Sequence, residues 1–194
     1  VETRGIGIGR GCFERRVMSH YLTAESMIRY AAANAEEVMS KVAAERARIA
    51  EAGTVFSSSN TVTLRHEAST HTKAYSRPTL NLLTNTITDP NATKKPAAAY
   101  TAYKTRTRPT AYLLKAGTSG LSTILNTLDY HGLPYVKLTE SMTVSVKSYS
   151  GSSSSASLSS EKSVKFEAGS YILPMNHSDG NILAMIMEPD VFDS

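Results

Sequence analysis

The sequence has no tryptophan, one cysteine, four phenylalanines and no long apolar run. The lone cysteine, Cys12, excludes an internal disulfide framework, which a chain of this size does not need. No stretch reaches the roughly 18 apolar residues of a membrane span, so none is expected. A strong excess of one charge is missing too: 21 Lys and Arg stand against 17 Asp and Glu, a net +4. The cations are spread along the chain and cluster only at Lys94-Lys95 and at Lys104 to Arg108. Without a basic stripe carrying aromatic partners, nucleic acid is not an expected partner, and the two clusters read as a solvated face. What remains is ordinary globular material, 41% hydrophobic and 20% charged over 194 residues, with ten tyrosines to help fill a core.

The first eleven residues differ from everything after them. Glu2 and Arg4 sit two apart, and Gly5, Gly7, Gly9 and Gly11 follow. Val1 to Arg4 suits the end of a strand, where positions two apart share a side. The glycines do not complete G-x-G-x-x-G, because the closing position holds Arg10 or Cys12. An irregular loop between a strand and a helix is the simpler expectation. The chain opens on Val-Glu, without a start methionine or a targeting segment, and is expected to be a processed or truncated piece of a longer protein.

Beyond the loop, Phe13, Val17, Tyr21, Ala24, Ile28 and Ala31 recur at three- and four-residue steps and predict a helix over 13–33. The pattern resumes over 35–52, where Glu37 and Lys41 can pair, Asn34 separates two helices or bends one, and Gly53 serves as C-cap. From Thr54 on, Ser and Thr become frequent and strands are expected. Val62 and Leu64 alternate with Thr63 and Arg65. Residues 79–88 are β-like, the basic, Ala-rich stretch to Ala99 is a loop, and 100–114 is extended with Pro109 at a strand start or edge. Thr118 or Ser119 caps a helix that His131-Gly132 ends, and Asn176 or Ser178 caps a last helix that Pro189 stops. Met142, Val144 and Val146 alternate onto one face, Val164 and Phe166 repeat the pattern, and the Ser-rich stretch 150–157 between them is expected to be a hairpin loop. The division is 1–53, then 54–194.

The histidines give no ligand cluster. His66 and His71 are five apart in strand-like surroundings, where they point to opposite faces, whereas a zincin helix needs a spacing of four. The Ser-rich loop contains no G-x-S-x-G elbow.

Glu2-Thr3-Arg4-Gly5-Ile6-Gly7 resembles the end of the catalytic domain of carboxypeptidase A-like zinc carboxypeptidases, where a strand ends in Glu-x-Arg, a loop follows and a long helix closes the domain. The helix from Phe13-Glu14-Arg15-Arg16-Val17 looks like that closing segment. Arg108 to Leu114, Leu128 to Gly132 and Gly169 to Met175 are similar to the extra C-terminal region of some bacterial members. The resemblance implies the end of an α/β catalytic domain followed by a mixed α+β C-terminal domain with antiparallel strands. It makes Glu2 the general base that carries a proton from water to the leaving amine, with Arg4 in support. Gly5 departs from the family, which has an acid there. The family's zinc ligands, carboxylate-binding arginines and mobile tyrosine all lie upstream of Glu-x-Arg. The resemblance therefore implies zinc and a peptide or protein substrate for the longer protein, and neither catalytic zinc nor turnover for this chain. It favours a secreted or periplasmic setting. Self-association through the 13–33 face, or a second chain over it, is expected. The alternative reading is a non-catalytic β-rich binding or adhesion module behind an N-terminal helical hairpin.

Overall fold

The computed structural model describes residues 13–69, 75–76, 78–81, 83–84, 86–94, 99–150 and 156–191. The chain divides into two compact units, Val1–Arg48 and Ile49–Ser194. In the first, α1 spans Phe13–Ala33 and α2 starts at Ala35, running to Ala52 with its last turn in the second unit. Asn34 interrupts them by one residue, its side-chain amide donating to the Tyr30 carbonyl at 2.8 Å. The helical ladder nevertheless runs through it: Asn34 N–H reaches Tyr30 O and Val38 N–H reaches Asn34 O, both at 3.0 Å. The helices therefore continue one another. A hairpin would need a loop that breaks this ladder, so that part of the alternative reading is corrected. Glu37 and Lys41 pair as expected at 2.6 Å, but both are exposed and the pair contributes little. No described residue of α1 is buried; Phe13, Val17, Tyr21 and Ile28 are all exposed.

The second unit is α+β, with small antiparallel sheets. Its first half is a set of nested pairings. β1 (Thr61–Ser69) pairs with β6 (Ala99–Thr107), β2 (Tyr75–Ser76) with β5 (Thr93–Lys94), and β3 (Thr79–Asn81) with β4 (Thr86–Asp89). Thr61 faces Thr107, Ser69 faces Ala99, Tyr75 faces Lys94 and Asn81 faces Thr86, so the three pairings share one direction of reversal. The β-like stretch over 79–88 is thus two strands. Its alternation is weak because it holds a turn, in which Asn81 Oδ1 accepts the N–H groups of Leu83 (2.9 Å) and Thr84 (3.3 Å). The expected loop to Ala99 in fact gives residues to β5 and β6, while 95–98 lie outside the described residues. Among the described residues of these strands, the base of β1 enters the core: Val62 and Leu64 are buried, and Thr63 and Arg65 are not.

The extended run to Leu114 breaks at Arg108-Pro109-Thr110. Pro109 has no N–H for a ladder, and the chain leaves β1 to form β7 (Ala111–Leu114) in a new sheet. That sheet has β13 (Tyr171–Pro174) at its centre, flanked by β7 and β8 (Val136–Lys137). Between β7 and β8 lies α3 (Leu121–Tyr130). Its N-cap is Gly120, not Thr118 or Ser119, because the Thr118 hydroxyl is turned back to the Lys115 carbonyl at 2.8 Å. Its C-terminus fulfils the expectation. Gly132 takes a φ of 65°, its N–H bonds Asp129 O, and Leu133 N–H bonds Leu128 O, with both leucines buried. These are the paired bonds and apolar contact of a Schellman motif.

β9 (Met142–Val146) pairs with β12 (Lys162–Phe166), Val144 facing Val164 and Met142 facing Phe166. β10 (Tyr149–Ser150) and β11 (Ser157–Leu158) close the Ser-rich hairpin, whose residues 151–155 lie outside the described set. The last helix, α4 (Gly180–Met187), has Asp179 at its N-cap. The expected Ser178 cap fails because that hydroxyl bonds the Asp179 carboxylate at 2.7 Å. A 3₁₀ turn, Pro189–Val191, follows. Leu114, Leu128, Leu133, Leu173, Met175 and Leu183 join Val62 and Leu64 in one apolar core. Among the described residues, no helix is long and apolar enough to cross a membrane.

Candidate functional site

Glu2 and Arg4, the expected catalytic pair, lie outside the described residues, as do Cys12 and His71. His66 is exposed on β1. His177 is half-buried, its Nδ1 accepting the Asp179 N–H at 3.2 Å; burial lowers its pKa, and Asp179 opposes that shift. Among the described residues, no three or more His, Cys, Asp or Glu side chains are placed to hold a metal ion. Those residues do not fit a zinc site, and no step through zinc is derived from them.

The structure instead assembles a polar cluster that the sequence reading missed. It centres on Glu188, the residue after α4. Pro189 disfavours helical backbone in the residue before it, and Glu188 is extended, with φ −85° and ψ 126°. Its carboxylate is 2% exposed. One oxygen accepts from the Tyr112 hydroxyl at 2.8 Å, and the other from Arg106 Nε at 3.0 Å and from the Tyr149 hydroxyl. Arg106 also donates to Asp190 and lies over the Tyr149 ring, 5.5 Å from its centroid. Lys104 Nζ stands 3.6 Å from the Asp190 carboxylate. β6, β7, β10 and the C-terminal turn thereby meet at one buried charge.

Burial first, and then Glu188, push the Tyr112 hydroxyl well above the ordinary tyrosine range. Tyr149 moves the same way, again from burial first and then from its bond to Glu188. Burial works against the charge of Arg106, but Tyr149, Glu188 and Asp190 outweigh it and raise its pKa. Its oxygens are held by three donors, one of them the Arg106 guanidinium, so this buried carboxylate is poorly placed to attack a substrate. The cluster ties the C-terminal segment to the strands.

A second tie sits beside it. Arg108, 4% exposed, donates to Asn60 Oδ1 at 3.2 Å and to Asn181 Oδ1 at 2.7 Å. Asn60 in turn donates to the last carbonyl of α2, Ala52 O, at 2.6 Å. The reading of Lys104 to Arg108 as a solvated face is therefore corrected: strand alternation turns Arg106 and Arg108 to the side that α4 and its following turn cover. The available signal was the matching spacing of Lys104-x-Arg106 and Glu188-x-Asp190, whose charges pair, but nothing local says that segments 82 residues apart meet.

Comparisons with protein-family models, with curated proteins and with solved structures find no match.

Proposed function

We propose that the chain is the C-terminal part of a zinc carboxypeptidase, a hydrolase of C-terminal peptide bonds, whose metal ligands and substrate pocket belong to residues outside this sequence. The observation that carries the reading is α1. A long helix follows the Glu-x-Arg and glycine segment directly, and its stripe of Phe13, Val17, Tyr21 and Ile28 is exposed within its unit. A helix that closes a domain would present such a stripe to the domain's sheet. In this reading Glu2 moves the proton between water and the leaving amine, Arg4 supports its charge, and the second unit is an appended α+β domain.

The test is made on the longer protein. Glu2→Gln should retain zinc and lower kcat by about 10²–10⁴ with KM little changed. An unaltered kcat, or a coding sequence upstream that lacks a His-x-x-Glu and a later His, would sink the reading. It also implies that the 194-residue chain taken alone covers the α1 stripe with a second copy. Sedimentation should then give a dimer or larger species that Val17→Glu returns to monomer; a monomeric parent chain counts against it.

A further inference from the structure

We propose that a second copy of this chain lies antiparallel along α1 and the first part of α2, as a two-stranded coiled coil. The proposal rests on the reading above, which leaves the α1 stripe of the 194-residue chain to a second copy. It adds the form and the direction of that contact.

The first observation is a repeat. Val17, Tyr21, Ala24, Ile28, Ala31, Ala35, Val38 and Val42 follow one another at strictly alternating steps of four and three. A straight helix drifts about 20° against such a spacing in every heptad, so the seam stays together when two helices wind round each other. The helical hydrogen bonds continue through Asn34, and the seam crosses from α1 into α2 without a break. Its residues are exposed and belong to the first unit. The opposite side, at Ser19, Ser26, Ala33, Ser40 and Ala47, holds only serine and alanine.

The second observation is charge. The next position of the seam is Glu45. In a parallel pair each seam position meets its own counterpart, so Glu45 would face Glu45 and Lys41 would stand beside Arg46 of the second copy, against one attraction, His20 beside Glu25. Reversing the second copy removes both repulsions. With Tyr21 opposite Glu45 of the second copy, Ala24 falls opposite its Val42, Ile28 opposite its Val38 and Ala31 opposite its Ala35. The phenol hydroxyl then donates to the carboxylate at each end of the seam. Sliding the copies by one heptad in either direction sets Glu45 against Glu14 or against Ile28 instead, which leaves its charge without a donor. Charge therefore selects both the direction and the register.

The test is disulfide cross-linking of the whole 194-residue chain. Ala24→Cys and Val42→Cys are each made in a Cys12→Ser background, oxidised alone and as a mixture, and the products are weighed by mass spectrometry. The mixture should give the mixed disulfide, and either variant alone should give little. Alone, two like cysteines are 18 positions out of step, about 27 Å along the axis, where a disulfide needs Cα atoms within about 7 Å. A nitroxide on Ser19→Cys reads the same arrangement without touching the seam. The two labels should stand about 40 Å apart, whereas a parallel pair would bring them to about 20 Å. Cross-links from the single variants that exceed the mixed one, or the shorter nitroxide distance, would overturn this proposal and leave the zinc reading standing. A monomeric chain overturns it as well, and the kcat of Glu2→Gln in the longer protein then decides the zinc reading separately.

Discussion

Replacing Glu188 by alanine should destabilise the second unit by about 3–5 kcal/mol, the usual loss when one partner of a buried ion pair is removed. The carboxylate is 2% exposed and accepts from Arg106, Tyr112 and Tyr149. Truncation strands the Tyr112 hydroxyl in a buried setting and removes one of two acids from Arg106. Asp190 keeps a partner for the guanidinium, which places the expected loss toward the lower end of that range. Urea unfolding of parent and variant measures it, and a loss below about 1 kcal/mol would mean that the cluster behaves like an exposed pair. The same experiment has a pH arm. Tyr112 and Tyr149 have folded pKa values raised above the unfolded value near 10. Stability from holding their protons is complete below that unfolded value and declines as pH climbs toward the folded ones, by at most about 1.4 kcal/mol per pH unit for each tyrosine. Glu188→Ala removes the Glu188 charge and hydrogen bond from both shifts, so its alkaline decline should still begin near pH 10 but level off at a lower pH than in the parent.

Gly53→Ala should cost about 3 kcal/mol, at the upper end of what overpacking produces. A Cβ at residue 53 would lie 2.1 Å from the Met175 carbonyl oxygen and 2.7 Å from the Asn176 nitrogen. Those are backbone atoms, so no rotamer change relieves the contact. The turn after α2 must move off the end of β13, where Met175 is fully buried. The sequence assigns Gly53 to capping α2, a role in which glycine supplies a left-handed backbone. Its φ is not among the positive ones. The position instead needs a residue with no side chain, because two segments cross there. Gly132→Ala is the contrast: φ is 65° with open space around it, so only backbone strain of about 1–2 kcal/mol applies. Equal urea midpoints for the two variants would refute the close-approach account.

The elements set by local pattern were legible. The periodicity of Phe13, Val17, Tyr21 and Ile28 makes α1, the alternation of Met142, Val144 and Val146 makes β9, and His131-Gly132 closes α3. Each depends on contacts or backbone angles within a few residues, so the sequence carries the whole signal. Caps were less legible, since a hydroxyl before a helix has more than one nearby acceptor. Thr118 bonds Lys115 and Ser178 bonds Asp179, and neither caps its helix.

By itself, then, the sequence determined the helices, most of the strands and the α+β class, because amphipathic period and turn chemistry are local properties. It also sets Glu2 and Arg4 just ahead of Gly5, Gly7, Gly9 and Gly11, the pattern from which the proposed zinc-carboxypeptidase reading starts. Only the tertiary structure decided where the charges go. Arg106 and Arg108 look like exposed strand cations until α4 and its 3₁₀ turn fold over them, and Glu188 looks like a surface acid until three strands supply its donors. Burial turns the same residues from solvated charges into fixed partners, and burial depends on segments far apart in the chain.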